Sequence, residues 1–223
     1  MRGLGEKLRT ARISKSLSLR ELAALAEVSA SLLSQIENGK ANPSVRSLHS
    51  IADALSVPVD HFFPSKNGDV PEATSSVGEV SNLTASEFRA AQVAIASTEN
   101  LDRGIELPAT EAKSPVTRGD ARTTIELEGG VIWARLTPDQ EAGLEFLQIR
   151  YDVGASSGKK MSHHTGREFG LILEGELKLE LGFESYTLKA GDSVVFDSTT
   201  PHRLTNIGQV PLSAIWVVIN HHQ

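Results

Sequence analysis

The sequence predicts a multidomain α plus β protein in which a small helical domain precedes an all-β domain. Hydrophobic residues recur at helical spacing in residues 1–65 and alternate in a strand-like manner from about residue 120 onward. Charge divides at the same place: residues 1–65 carry eight basic against six acidic side chains, and the remainder carries 14 against 22. We therefore predict a helical domain over 1–65, a linker over 66–119 and a β domain over 120–220.

The composition excludes several kinds of protein. The chain has 223 residues, a net charge of −6 and no cysteine, so disulfides, Cys-ligated zinc sites and thiol nucleophiles are all excluded. No apolar run approaches the roughly 18 residues that a membrane helix needs. The N-terminus begins an amphipathic pattern rather than a signal peptide, and we expect a cytoplasmic protein.

Five short helices are predicted in residues 1–65. Ser18 and Glu21 have the spacing of a capping box, which begins the second helix. Ser29 is a suitable N-cap for the third helix, Ser44 begins the fourth, and residues 59–63 form a last helical turn. The second and third helices, joined by a tight turn, predict a helix-turn-helix.

The third helix is expected to bury Leu33 and Ile36 and to present a polar face opposite them. The residues on that face are Ser29, Ala30, Ser31, Ser34 and Gln35. Ser and Gln are hydrogen-bonding types that suit base edges in the major groove, and Gln suits adenine best. We expect phosphate contacts from Asn38, Lys40 and Ser44, the last at a helix N-terminus. The alternative is a protein-interaction module whose serines are helix caps and solvated surface.

The runs SLRELA at 18–23 and LSQIENGK at 33–40, together with Val28-Ser29 and Pro43-Ser44, resemble the Cro/repressor (XRE) family of helix-turn-helix regulators. The resemblance covers residues 5–63. It implies a five-helix, lambda-repressor-like DNA-binding domain, and it adds Ser18 to the positions that face DNA.

Residues 66–119 are predicted to connect the two domains. The first part is rich in Ser, Gly, Pro, Asn and Asp, which is typical of a flexible connection. Residues 85–96 have the pattern of an alanine-rich helix, which is either a linker helix or a cap over the following barrel.

About eight short strands are predicted after residue 120. They cover 124–127, 131–136, 145–151, 171–173, 177–181, 186–188, 193–196 and 212–219, with glycines between many of them. Strands at this spacing favour an antiparallel sandwich or barrel, with an interior that holds one small ligand.

Three polar residues do not fit a plain β core: His164, Glu168 and His202. Imidazole and carboxylate together are the usual ligands of a divalent metal such as Zn, Mn, Fe or Ni. The alternative is that the same three side chains hydrogen-bond a polar effector without a metal.

Residues 142–220 resemble the cupins. The first cupin signature falls on Ser162, His164, Glu168 and Gly175, and the second on Gly191, Asp197, Thr199, His202 and Asn206. The resemblance implies a double-stranded β-helix (jelly-roll) barrel in which His164, Glu168 and His202 bind metal. The sequence departs from the signature because Ser162 replaces a ligating His, and the neighbouring His163 points to the opposite face of its strand. Asp197 and Thr199 replace a turn Pro and Gly.

Further side chains on the predicted strands are candidates to line the barrel: Trp133, Arg150, Tyr151, Phe196 and Trp216. An inward Arg150 would indicate an anionic effector, because a guanidinium pairs bidentately with carboxylate or phosphate.

The joined architecture resembles the helix-turn-helix–cupin regulators of bacteria. It implies a regulator rather than an enzyme, with a small-molecule effector in the cupin and a homodimer on a pseudo-palindromic operator in double-stranded DNA. Two alternatives are a DNA-binding protein whose cupin only dimerises and a metal-dependent cupin enzyme fused to a DNA-binding domain.

Overall fold

The computed structural model describes residues 3–64 and 114–220. The first of these ranges forms four α-helices and one 3-10 turn. The elements are α1 (Gly3–Ser14), α2 (Leu19–Leu25), α3 (Ala30–Glu37), α4 (Val45–Leu55) and the 3-10 turn Val59–Phe62. The predicted fifth helix is therefore only a single tight turn. Pro58 and Pro64 flank it, and proline restricts how far a helix extends.

Serine side chains begin three of these helices. The hydroxyl of Ser18 accepts from the backbone N–H of Glu21 at 3.2 Å, and the carboxylate of Glu21 accepts from the N–H of Ser18 at 2.7 Å. This is the predicted capping box. The hydroxyls of Ser29 and Ser44 accept from the N–H groups of Leu32 and Ser47 and so cap α3 and α4, and the helix starts predicted from the sequence are correct.

Two contacts fix α1 against α3. A β-carbon at Gly5 would lie only 2.3 Å from the carbonyl oxygen of Ile36, so the two helices approach closely because Gly5 has no side chain. At the end of α3, Glu37 accepts two hydrogen bonds from the Arg12 guanidinium, at 2.6 and 2.9 Å. The apolar side of α3 is thereby held in the core, where Leu33 and Ile36 are buried.

Nine antiparallel strands follow in residues 114–220, arranged in two sheets. They are β1 (Thr124–Leu127), β2 (Val131–Arg135), β3 (Leu144–Tyr151), β4 (Arg167–Glu174), β5 (Glu176–Leu181), β6 (Glu184–Lys189), β7 (Ser193–Asp197), β8 (His202–Asn206) and β9 (Leu212–Ile219). The strand order is β1-β2-β3-β9-β4-β7 in the larger sheet and β6-β5-β8 in the smaller. The strand series predicted from the sequence omitted β8 and began β4 four residues late.

Alternate residues of the strands fill the interior of the barrel. In β3 the buried side chains include Leu147, Ile149 and Tyr151, and in β5 they are Leu177 and Leu179. The predicted fold class, a helical domain followed by an all-β domain, is confirmed.

The helical part and the barrel pack together in one compact unit. The N–H of Glu128 donates to the carbonyl oxygen of Pro43 at 2.9 Å, and the N–H of Arg46 donates to that of Ser157 at 3.3 Å. A buried ion pair joins Asp60 to Arg135.

The division at 65 and 119 stays a prediction, and the predicted helix 85–96 lies outside the described residues. Among the helices of the described ranges, none has the length and apolar character needed to cross a membrane.

Candidate functional site

The predicted DNA-facing residues lie around α3 and the two neighbouring helix starts. Exposed residues of this set are Ser18, Ser29, Ser31, Gln35, Asn38 and Lys40. Half-buried ones are Ala30, Ser34 and Ser44. The exposed side of α3 is therefore polar and uncharged, with a lysine after its end. Such a surface offers hydrogen-bonding groups to a duplex without an acidic residue on the outer face to repel phosphates.

Several of these polar side chains already have hydrogen-bond partners. The amide of Gln35 donates to the hydroxyl of Ser31 at 3.4 Å, one helical turn away. Asn38 donates to the carbonyl oxygen of Ser34 at 2.7 Å. The Ser29 hydroxyl accepts from the N–H of Leu32 at 3.0 Å. Ser29 and Asn38 are therefore engaged with the backbone, whereas Ser31 and Gln35 contact each other on the exposed face of α3.

The second candidate site is a cluster of two histidines and a glutamate inside the barrel. Glu168 comes from β4 of the larger sheet, His202 from the first position of β8 in the smaller sheet, and His164 from the segment before β4. One potential ligand atom of each residue lies within 4.8 Å of the other two. All three residues are buried. The structure thus brings together the three residues that the sequence singled out.

The distances within the cluster suit a metal ion. Nε2 of His164 and Nε2 of His202 lie 2.9 and 3.2 Å from Oε1 of Glu168. Ligands bonded to one ion at about 2.1 Å, at angles between 90° and the tetrahedral value, are about 3.0–3.4 Å apart. Oε1 is buried and has no partner with hydrogen-bond geometry among the described residues. A cation in the centre would satisfy this oxygen.

Both histidines have the second contact that a metal-ligating imidazole needs. Nδ1 of His164 lies 3.1 Å from the carbonyl oxygen of Thr165, and Nδ1 of His202 lies 2.9 Å from that of Thr200. Since a carbonyl only accepts, each Nδ1 carries the proton. In a neutral ring Nε2 then has a free lone pair that faces the carboxylate, which is the tautomer a metal requires.

Burial and charge set the protonation of the cluster. Burial alone would raise the pKa of Glu168, but His164, His202 and Trp216 outweigh it and lower the pKa to about 2. Burial lowers the pKa of His202. Burial acts in the same direction on His164, but the adjacent Glu168 carboxylate outweighs it and raises that pKa. The Glu168 carboxylate is therefore ionised near pH 7, and the surroundings disfavour the charged form of His202 but favour that of His164.

Trp216 fixes the orientation of the carboxylate. Its indole N–H donates to Oε2 of Glu168 at 2.6 Å, which leaves Oε1 directed at the histidines. Trp216 can lie there because its cross-strand partner is Gly170, where a β-carbon would come within 2.2 Å of the indole ring. The sequence placed Trp216 on a strand but did not reveal this contact.

The missing cupin ligand leaves a small side chain in the pocket. Ser162 is buried and pairs with His202 through two backbone hydrogen bonds of 2.9 and 2.8 Å. His163 is exposed, as its alternation in the chain predicts. Within the described residues, therefore, the barrel contributes only two of its histidines to the cluster.

A third histidine comes from the helical part, and the sequence analysis missed it. His49 of α4 is buried, and its ring stacks on that of His164 with centroids 4.2 Å apart and planes inclined by 8°. Burial lowers the pKa of His49 well below its ordinary value. A signal was present in the sequence, because His49 falls on the apolar stripe of α4 one turn after Val45.

The cavity around the cluster is small. Its volume is about 20 Å³, and its aromatic lining consists of Trp133, Tyr151 and Trp216. Space of this size holds about one water molecule. Arg150, a candidate for an inward cation, is exposed, because β3 turns Ile149 and Tyr151 inward instead.

A wider groove lies on the outer side of the smaller sheet. It has a volume of about 510 Å³ and reaches Ser44 at the start of α4. Glu180 in this groove pairs with Arg203 at 2.6 Å and with Lys178 at 3.6 Å. No member of the histidine–carboxylate cluster lines it.

Comparison with known proteins matches both parts of the chain. A helix-turn-helix family model matches residues 8–62, and a cupin-domain model matches residues 147–218. The uncharacterized protein MJ1618 of Methanocaldococcus jannaschii is 40% identical over 92 residues, which are 41% of this chain and 74% of that protein.

Two further relatives are similar over most of the chain. The HTH-type transcriptional regulator PuuR of Escherichia coli is 23% identical over 203 residues, which are 91% of this chain and 86% of that protein. The crystal structure of an HTH_3 family transcriptional regulator from Vibrio cholerae shares the fold, with a TM-score of 0.60 and 20% identity over 99% of this chain and 97% of that one. The chain therefore belongs to the XRE-type helix-turn-helix DNA-binding regulators that carry a cupin domain.

Proposed function

We propose that this regulator binds a specific operator through α3, and that its cupin domain binds a divalent metal ion, with or without a small organic effector, to modulate operator affinity. The observation that carries the proposal is the polar, exposed face of α3 on a helix whose other face is fixed in the core. A DNA-binding regulator acts at the chromosome, so we place this protein in the cytoplasm.

In this proposal Ser31 and Gln35 contact base edges. The two side chains are adjacent on the exposed face, and Gln can pair bidentately with adenine. Asn38, Lys40 and the N-terminus of α4 at Ser44 hold the phosphate backbone, which fixes the register of α3 in the major groove.

A homodimer provides the second reading helix. One helix-turn-helix covers a single half-site, and two copies bind a pseudo-palindromic operator with half-sites about one helical turn apart. The outer face of the larger sheet supports this assembly, because an apolar row crosses four strands there. The row consists of Phe146, Val217, Phe169 and Val195, which are cross-strand neighbours.

The assembly is tested by the mass of the protein in solution. Phe169→Asp should convert a dimer to a monomer, because it places a charge in the middle of the apolar row. Phe183→Asp is the matched control, since Phe183 is fully exposed at the turn between β5 and β6. Light scattering that finds both variants dimeric would rule out this face, and a monomeric parent protein would rule out the dimer.

His164, Glu168 and His202 would hold the metal ion. Trp216 orients the carboxylate, and the carbonyl groups of Thr165 and Thr200 orient the imidazoles. A divalent ion bound there supplies an electrophilic centre to which an oxygen-donor ligand can attach.

One feature favours a sensor over an enzyme. Ser162 occupies the position of a cupin ligand, which weakens the hold on a reactive metal centre.

Selection from random duplexes tests the DNA-binding part. The parent protein should enrich a pseudo-palindromic sequence. Ser31→Ala/Gln35→Ala should lower affinity for that sequence by roughly tenfold or more while changing non-specific affinity little. Ser14→Ala, an exposed serine at the end of α1, is the control and should bind as the parent does. Equal losses on specific and non-specific DNA would contradict the assignment.

Metal content tests the cupin part. Natively purified protein should contain one divalent ion per chain, and His164→Ala or His202→Ala should remove it. His163→Ala is a matched control, because this neighbouring histidine is exposed and does not belong to the group whose ligand atoms converge. The same metal content in all three variants and the parent would refute the site.

A further inference from the structure

α4, the helix that follows α3, closes one side of the cupin cavity. Val45 and His49 of α4 line the cavity together with His164, Glu168 and His202 of the barrel. The two α4 residues are one helical turn apart on its buried face. A helix of the DNA-binding domain therefore forms part of the wall of the proposed ligand site.

His49 is the part of this wall that stacks on a residue of the cluster. Its ring lies parallel to that of His164 at a centroid distance of 4.2 Å, and it meets the edge of Trp133 at 5.7 Å. Across residues 3–64 and 114–220, the ring of His49 makes these two aromatic contacts and no hydrogen bond. Within those residues, withdrawal of the ring therefore breaks no hydrogen bond and leaves no polar partner unsatisfied in the barrel.

The stacked arrangement also separates His49 from the metal ligands. A histidine binds a metal in the plane of its ring through a nitrogen lone pair. His49 presents its face to His164, and it does not belong to the group whose ligand atoms converge. His49 therefore covers the cluster and is not one of its ligands in this conformation.

The size of the cavity makes this cover consequential. A volume of about 20 Å³ accommodates one water molecule or one metal ion. Sites for organic ligands are typically about 300–1,000 Å³. Most of the other lining residues lie on strands of the two sheets, which are hydrogen-bonded to their neighbours, whereas α4 donates one backbone hydrogen bond to the barrel from Arg46 to Ser157 among the described residues.

We propose that His49 is a removable cover, so that any ligand larger than a metal ion or one water molecule enters the cupin cavity only when α4 moves away from the barrel. This inference rests on the proposed ligand site and states how ligand access to that site is controlled. Ser44 caps the N-terminus of α4, and α4 packs beside the helix-turn-helix. A ligand that displaces α4 therefore also displaces the DNA-binding surface.

Intrinsic fluorescence offers a direct test, because the chain has two tryptophans and both line the cavity. Acrylamide is the probe: it is a small organic molecule, larger than water, that quenches an indole on contact. His49→Ala should raise the Stern–Volmer constant roughly threefold or more, because the cover is gone. His49→Phe keeps a ring over the cluster and should stay close to the parent. His61→Ala is the control, as His61 belongs to the same domain but does not line the cavity.

A cross-link tests the same idea in a protein that keeps His49, so this test does not depend on whether the His49 variants fold. A β-carbon built on Gly158 lies 3.5 Å from Cβ of Arg46, within the range of about 3.5–4.5 Å seen in disulfides. The chain has no cysteine, so Arg46→Cys/Gly158→Cys introduces a single disulfide that holds α4 against the barrel. The oxidised protein should show a Stern–Volmer constant roughly half that of its reduced form or lower, because α4 can no longer open.

The results separate the possible outcomes. Quenching that is equal in oxidised and reduced protein, together with no increase in His49→Ala, would overturn the cover. The experiment uses neither DNA nor metal, so it can fail while operator selection and metal analysis succeed, and the reverse also holds.

Discussion

The ion pair between Asp60 and Arg135 gives the sharpest prediction about how the two parts are held together. Nη1 of Arg135 in β2 lies 3.1 Å from Oδ2 of Asp60 in the 3-10 turn, and their side chains are only 7% and 3% exposed. Arg135 also lies over the ring of Phe63. Burial raises the pKa of Asp60 even though Arg135 acts to lower it, so the attraction does not fully offset the desolvation of the carboxylate.

Removal of one partner should therefore be far more destabilising than removal of both. Asp60→Leu leaves an unpaired guanidinium in the interior, and Arg135→Met leaves an unpaired carboxylate. Each should lower the free energy of unfolding by about 3–5 kcal/mol. The double variant replaces the pair with apolar side chains and should unfold within about 1 kcal/mol of the parent, or be more stable.

Urea denaturation followed by tryptophan fluorescence measures these free energies. The control is Glu180→Gln, which breaks the Arg203 pair on the outer face, where the side chains are 30% and 16% exposed. That pair should contribute about 1 kcal/mol or less. If both single variants at the interface unfold within about 1 kcal/mol of the parent, the reasoning about this buried pair is refuted.

Three further changes test the packing and electrostatics of the site. Gly5→Ala should lower the free energy of unfolding by about 1–3 kcal/mol, because the new β-carbon would meet the carbonyl oxygen of Ile36. Gly119→Ala is the control, since there is open space around Gly119, and it should have no effect. Equal thermal midpoints for the two variants would contradict the close approach at Gly5. Gly170→Ala should push the Trp216 indole off Glu168 and reduce metal content as well as stability; unchanged metal content and thermal midpoint would show that Trp216 does not depend on this glycine. Burial raises the pKa of Glu145 from 4.5 to about 7. Between these two values the folded state binds more protons at Glu145 than the unfolded state does. The contribution of Glu145 to the free energy of unfolding therefore falls as pH rises from 4.5 to 7. Glu145→Gln should abolish that loss, which is at most about 3 kcal/mol, and parallel pH profiles of unfolding for variant and parent would refute the assignment.

The local features of this protein could be predicted from its sequence. Ser18, Ser29 and Ser44 begin helices because a hydroxyl in each position can cap nearby backbone N–H groups, and this depends on residues only a few positions away. The three cluster residues were also found, because their types and spacing match the cupin signature.

The features that depend on contacts between distant segments could not be predicted. His49 lies on a helical apolar stripe, where its type alone does not distinguish a core position from a ligand site. Asp60 and Arg135 are 75 residues apart, and nothing in either local pattern indicates the other. β8 escaped prediction because two of its three buried residues, His202 and Asn206, are polar, whereas strand patterns are recognised from buried apolar residues.

Operator affinity with and without metal tests the central claim most directly. Natively purified protein and the same protein after chelation should differ in Kd for the selected operator by about fivefold or more, which is the usual range of allosteric coupling. His164→Ala should bind the operator with one Kd in both conditions, and His163→Ala should behave as the parent. Identical operator affinities for loaded and chelated parent protein would contradict the claim that the cluster of His164, Glu168 and His202 controls DNA binding.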